Sequence, residues 1–253
     1  MRINFLFIFL LIIAVFDLNA QSKKPVIMIV HGAWGGGWAF KKVDSILTEK
    51  GIIAYRPTLT GQGERVHLAS ADVGLVTHIN DIVNSILFED LHDIVLVGHS
   101  YGGMVISGVA DRVPERIRKL IYMDAFVPND GESVAALRNI SAEELKRMGP
   151  NGFMVPAWVK AGQQAPMDVP HSLKTFTEKI VLKNAAAKKL DAAYILTVDA
   201  GKKAEDDAFA SSAERARQRN WPVVILQADH NPQWSAPVEL VDKLLSLMSE
   251  RKN

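Results

Sequence analysis

Apolar residues follow two different periods along this chain, and the periods alternate. Residues 25–30 (PVIMIV) form a short unbroken apolar run, the pattern of a strand buried on both faces. Phe40, Val43, Ile46 and Leu47 then recur at helical spacing, and Gly51 is placed to stop that helix. Residues 52–55 make a second short run, closed by Arg56-Pro57. Ile79, Ile82, Val83, Ile86 and Leu87 form an i, i+3, i+4, i+7, i+8 stripe, which predicts a helix with one buried face. Further strands are predicted at 94–97, 120–126, 194–198 and 223–227. The last helix starts near Pro237, a residue suited to a first turn, and turns Val241, Leu244, Leu245 and Met248 inward. Strand, helix, strand in this order predicts the α/β class, with a mainly parallel six-stranded sheet covered by helices on both faces.

Two segments depart from that rhythm. Arg2 precedes an apolar run over residues 5–16 that Asp17 ends. As a helix this run spans about 18 Å, short of the ~30 Å hydrocarbon core of a bilayer. With Leu18-Asn19-Ala20 behind it, the pattern reads as a secretory signal over residues 1–20, cut after Ala20. The expected location is then secreted or periplasmic, in a bacterium, with no membrane contact after cleavage; a retained anchor is the alternative. The second departure lies between Pro128 and Leu190, where no convincing strand occurs. Ser141 with Glu144 makes a capping box, and Gly149, Pro150, Gly152, Pro156, Pro166 and Pro170 punctuate the middle. A helical cap over 128–190 is expected, inserted into a core made of 21–127 and 191–253.

Composition narrows the function. The 253 residues are 48% hydrophobic and 23% charged, and Lys+Arg 29 against Asp+Glu 28 gives a net charge of +1. No basic surplus points to nucleic acid. Cysteine is absent, which removes disulfides, thiol nucleophiles, cysteine-held zinc and iron–sulfur clusters.

The candidate chemistry centres on one serine. Gly98-His99-Ser100-Tyr101-Gly102 matches G-x-S-x-G, with an apolar strand run before it and a helix-opening Gly-Gly-Met-Val-Ile run after it. That strand–turn–helix context is what a nucleophile elbow requires. A serine hydroxyl needs a base. His230 is the candidate, because it follows the last strand at its C-terminal end and comes after Ser100 in the chain. His99 should pack beneath the elbow, and His67, His78, His92 and His171 read as surface or cap residues. Asp199, ending the strand YILTV, is the expected carboxylate partner; Asp124 in IYMDAF is its main rival, ahead of Asp206 and Asp207. The oxyanion needs two N–H donors, expected from Tyr101 and from Ala33 in the Gly-rich loop His31-Gly32-Ala33-Trp34-Gly35-Gly36-Gly37-Trp38. Trp34, Trp38, Phe126 and Trp158 are the expected pocket lining, with Phe153 and Met154 read rather as core. Near-neutrality suits a small, uncharged, fairly apolar ligand, and a homodimer is the oligomer to test for.

HGAWGGGW after the first strand, LVGHSYGG at the elbow and ADHN after the last strand together resemble the α/β-hydrolases. More narrowly, the chain resembles the plant methyl-esterase/hydroxynitrile-lyase family and its bacterial esterase relatives, the latter especially in TLTGQGERVHL and EDLHDIVLVGHSYGGM. The resemblance covers nearly all of the chain after residue 20 and is weakest in the cap. It implies Ser100 as nucleophile, His230 as base, Asp199 as acid, Ala33 and Tyr101 as oxyanion donors, and no cofactor or metal. Lyases of the family carry a threonine after the loop histidine and a lysine after the catalytic histidine. Gly32 and Asn231 stand there in this chain, and without the lysine no cation holds cyanide, so ester hydrolysis is the expected activity. Asn231-Pro232-Gln233-Trp234 also departs from the family's small or acidic residue followed by Ala-Met, which bears on substrate size. The same machinery would serve a lactonase, amidase, carbon–carbon hydrolase or cofactor-free haloperoxidase. A non-hydrolytic binding protein is the remaining class.

Overall fold

A computed structural model describes residues 24–249. The expected signal over residues 1–20 lies outside the described residues. In chain order the elements are β1 (Val26–Val30), α1 (Lys41–Glu49), β2 (Ile53–Tyr55), α2 (Leu75–Phe88), β3 (Ile94–His99), α3 (Gly102–Arg112) and β4 (Ile117–Met123). There follow α4 (Val134–Leu137), α5 (Ala142–Met148), β5 (Phe153–Met154), β6 (His171–Ser172) and α6 (Lys174–Thr177). The chain then returns through β7 (Asp191–Val198), α7 (Ala210–Gln218), β8 (Val223–Gln227), α8 (Pro232–Ser235) and α9 (Pro237–Ser249).

Six strands make one sheet in the order β2-β1-β3-β4-β7-β8, and every neighbouring pair is parallel. The unbroken apolar runs follow from the two buried faces. Ile27, Ile29, Val95, Val97, Ile121, Met123, Ala193 and Ile195 enter the core layer under α1 and α9. Their neighbours Met28, Val30, Ile94, Leu96, Leu120, Tyr122, Tyr194 and Leu196 enter the layer under α2, α3 and α7. A side-chain period of two therefore produces no polar alternation when both faces are covered. All strand C-termini point to one edge of the sheet, and the loops leaving β1, β3, β4 and β8 converge there.

The elements differ from the sequence reading where polar or small residues interrupt the signal. β4 begins at Ile117, three residues before the apolar run suggests, because its early residue Lys119 is buried. The Lys119 ammonium donates to Leu247 O at 2.6 Å and pairs with Asp191 at 3.0 Å. The same strand stops at Met123 because Asp124 turns left-handed, with φ 46°. Helix α7 (ASSAERARQ) gives no apolar stripe, since its buried face consists of Ser212, Ala213 and Ala216.

Over residues 128–190 the chain holds the three short helices α4, α5 and α6, with Ser141 Oγ accepting the Glu144 N–H as an N-cap. It also holds an antiparallel ribbon, β5 with β6, which the sequence does not announce. The segment is tied down by Gln62 Nε2 donating to Pro170 O, Ser172 Oγ donating to Ala71 O, and Val76 N–H donating to Glu178. No helix among the described residues is long and apolar enough to cross a membrane.

Candidate active site

Ser100 sits on the turn between β3 and α3 with φ 54°, a left-handed conformation that lifts its side chain off the strand direction. The glycines on either side answer to packing. A Cβ on Gly98 would lie 2.6 Å from Gly102 O, and one on Gly102 would lie 2.5 Å from Val30 O. The turn is held by Ser100 N–H to Met123 O at 3.2 Å and by the Gly103 and Phe126 N–H groups on Ser100 O at 3.1 and 3.2 Å.

His230 leaves β8 and returns over this turn. Its Nε2 is 3.1 Å from Ser100 Oγ and its Nδ1 is 2.5 Å from Asp124 Oδ2. With Nδ1–H donated to the carboxylate, Nε2 keeps the lone pair that can accept the serine proton. The His230 carbonyl accepts from His99 Nε2 at 2.7 Å, and the Phe209 ring lies parallel to the imidazole, 5.0 Å away at 5°.

The carboxylate beside His230 is thus Asp124, the rival that the sequence leaves open, and not Asp199. Asp199 does end β7, but its side chain is 41% exposed and pairs with Lys202 at 2.6 Å. Asp124 is 1% exposed and built into the gap between β4 and β7. Its N–H donates to Ile195 O at 2.8 Å, and its Oδ1 accepts the Thr197 N–H at 3.2 Å. The next residue is clamped as well: the Tyr194 hydroxyl accepts the Ala125 N–H and donates to Ala125 O, each at 2.9 Å. Asp229 turns away to the Asn231 N–H and Ser235 Oγ. Asp207 turns its Oδ1 to the Phe209 N–H, and burial, with Asp124 nearby, raises its pKa.

The Gly-rich loop after β1 lies directly against the serine. A Cβ on Gly32 would stand 3.0 Å from Ser100 Cβ and 3.1 Å from His99 Nδ1. The backbone N–H groups of Ala33 and Tyr101 donate to no acceptor among the described residues. Two free amides bracketing a serine are what an oxyanion site needs. The Tyr101 side chain is buried beneath: its hydroxyl donates to His78 Nδ1 at 3.0 Å, and His78 Nε2 donates to Thr60 O at 3.0 Å. His31 is fixed in the other tautomer, with Nδ1 donating to Gly32 O and Nε2 accepting the Leu59 N–H.

Of the expected lining, Trp34 and Trp158 meet edge to face at 5.3 Å, with Trp34 Nε1 bonded to Met154 O and Trp158 Nε1 to Asp168. Phe126 packs on Phe209 at 5.1 Å, with the Arg138 guanidinium over both rings. Trp38 packs instead on Trp234 of α8, at 5.7 Å. The sequence reading misses Phe209, Thr197 and His171, none of which stands in a motif. Four histidines fall inside the protein; His78 corrects the expectation of a surface or cap residue, being fully buried on α2, whereas His171 does lie in the 128–190 segment and is fully buried there.

Burial holds those imidazoles neutral. It lowers His31 and His78 from 6.5 to about 4 and His99 to about 3, and it pushes His171 well below the ordinary range. The unfolded chain binds these protons near pH 6.5 and the folded chain does not. Their contribution is therefore complete above pH 6.5 and is lost as the pH falls from 6.5 towards 4. Urea unfolding across that window should lose roughly 3 kcal/mol for each of His31, His78 and His99. Replacing one of them by an apolar residue should flatten the slope; an unchanged slope would contradict this cause.

Comparisons with known proteins agree with the fold. The model of the family described as "Alpha/beta hydrolase family" matches residues 27–243. A carbendazim-hydrolyzing esterase of Nocardioides sp. (strain SG-4G) is 35% identical over 240 residues, covering 87% of this chain and 98% of that protein. A pFDCC methylesterase of Arabidopsis thaliana is 28% identical over 264 residues, covering 90% of this chain and 97% of that protein. Among solved structures, an extracellular alpha/beta-hydrolase from a Paenibacillus species superposes with a TM-score of 0.73 at 22% identity, covering 89% of this chain and 100% of that one.

Proposed function

The chain belongs to the alpha/beta hydrolase family, and we propose that it hydrolyses small, fairly apolar carboxylic esters, with Ser100 as nucleophile, His230 as base and Asp124 as acid. The carrying observation is the His230 imidazole, bridged between Ser100 Oγ at 3.1 Å and Asp124 Oδ2 at 2.5 Å. Ser100 Oγ attacks the ester carbonyl as its proton passes to His230 Nε2. The negative charge forms on the carbonyl oxygen, where the Ala33 and Tyr101 N–H groups and the N-terminus of α3 stabilise it. His230 returns the proton to the leaving alkoxide, which departs as the alcohol. Water, deprotonated by the same imidazole, then attacks the acyl-enzyme and releases the acid. Asp124 accepts the His230 Nδ1–H throughout and stabilises the imidazolium.

Several observations support an ester of modest size. The Phe209 ring lies along the His230 imidazole and packs on Phe126, and Trp34, next to Ala33, meets Trp158 edge to face. The Nocardioides relative is named an esterase and the Arabidopsis relative a methylesterase. Asn231 stands where a lyase needs its lysine, and its side chain is bonded to Gln233 Nε2. Steady-state hydrolysis of p-nitrophenyl acetate and butyrate, beside the matching p-nitroanilides, tests the reading. The ester kcat/KM should exceed that of the anilide by about a hundredfold or more. Anilide turnover equal to ester turnover would move the protein to the amidases, and mandelonitrile cleavage without ester hydrolysis would make it a lyase.

The same proposal takes residues 128–190 as a cap over this site and residues 1–20 as an export signal. N-terminal sequencing of the exported protein should begin at Gln21.

A further inference from the structure

Seven residues other than glycine have positive φ among the described residues, and five of them are Asp or Asn, which tolerate that conformation. The other two are Ser100 and Trp34, at φ 54° and 66°. The strain at Ser100 belongs to the elbow. Nothing in the loop itself accounts for the strain at Trp34, a bulky residue next to Ala33 and flanked by a glycine that could have taken the position.

Residues from the 128–190 segment hold Trp34 at every polar atom it has. Its N–H donates to His171 Nδ1 at 3.3 Å, its carbonyl accepts the Val169 N–H at 2.9 Å, and its indole N–H donates to Met154 O at 3.0 Å. His171 is fully buried among Trp34, Tyr101, His78 and Phe176. Because Nδ1 accepts from an N–H, the ring proton lies on Nε2, and that atom is buried without a hydrogen-bond partner among the described residues. The single hydrogen bond of this imidazole is spent on Trp34. For stability alone the position favours a phenylalanine or leucine, which leaves no buried donor unpaired.

We infer that His171 is a positioning residue for the oxyanion site, its Nδ1 fixing the Ala33–Trp34 peptide plane so that the adjacent Ala33 N–H stays aimed at the carbonyl oxygen above Ser100. This rests on the proposed Ser100 mechanism. The 128–190 segment then does more than cover the site: through His171, Val169 and Met154 it completes the electrostatic machinery. Burial keeps the imidazole neutral, so Nδ1 remains an acceptor at neutral pH.

The test compares His171→Phe, His171→Leu and His171→Asn on p-nitrophenyl butyrate. The two apolar variants should lose about a hundredfold in kcat with KM within about threefold, since a misplaced oxyanion donor acts on the transition state. Their melting temperature should be unchanged or higher. His171→Asn places Oδ1 near the position of Nδ1 and should recover most of the lost kcat. A merely structural role predicts the reverse pattern: lower melting temperature, normal kcat in the folded fraction and no advantage for Asn. If both apolar variants keep kcat within twofold of the parent while Ser100→Ala is inactive, the inference on His171 fails and the Ser100 mechanism stands. If Ser100→Ala is active, the mechanism fails first.

Discussion

Asp124→Asn should lower kcat/KM for p-nitrophenyl acetate by about 10⁴-fold, while Asp199→Asn should leave it within about threefold. The asymmetry follows from what each oxygen of Asp124 does. Oδ1 takes the Thr197 N–H, and an asparagine oxygen can keep that bond. The amide NH₂ then faces His230 Nδ1, where the carboxylate oxygen stood at 2.5 Å. A donor there forces the imidazole proton onto Nε2, the atom that has to accept from Ser100. The base is lost with the backbone intact, so the melting temperature should fall little compared with the activity. Among the described residues the Asp199 carboxylate pairs with Lys202 at a half-exposed position, where solvent screens the pair. Kinetics on the two purified variants, with circular dichroism as a folding control, decide between them. A large loss in Asp199→Asn beside an active Asp124→Asn would overturn the assignment.

Ser100→Ala should abolish turnover by a factor of at least about 10³ to 10⁴ without loss of stability, since it removes one oxygen and leaves the elbow in place. Ser100→Gly should be equally inactive and more stable, by about 1 kcal/mol, because a left-handed φ of 54° strains any residue with a Cβ. Stability rising as activity disappears is the signature of a residue held in a strained conformation for its chemistry. Thermal unfolding of parent and both variants at pH 7 provides the check. A destabilised Ser100→Gly would mean that hydrogen bonds of the hydroxyl outweigh the backbone strain.

Much of this site is legible in the sequence where one short segment carries both the chemistry and its structural context. The run IVLVGHSYGGMVI spells a buried strand, a turn whose glycines must clear Gly102 O and Val30 O, and a helix start, so the run alone marks Ser100 as the candidate nucleophile. His230 was similarly readable from its place just beyond β8. The acid was harder, because two strands end in aspartate on the same edge of the sheet. Lateral order decides between them: β4 lies beside the serine strand, and β7 lies one place further out. A single signal did favour Asp124. It is a carboxylate inside the apolar run IYMDAF, and a buried charge demands a partner. Phe209 and His171 reach the site across long sequence separations from segments without periodicity, and only packing reveals them. The helix α7 was hidden for a related reason, since alanine and serine bury a face without marking it.

The proposed mechanism requires Ser100 to become covalently acylated during turnover. A p-nitrophenyl alkylphosphonate is attacked by an activated hydroxyl, loses p-nitrophenolate and leaves an adduct that mimics the tetrahedral intermediate. Intact-mass spectrometry should show one adduct per chain, formed as activity disappears. Peptide mapping should place it on Ser100, and Ser100→Ala and Asp124→Asn should label at least about 10³-fold more slowly. An adduct on another residue, or full inactivation with Ser100 unmodified, would contradict the account.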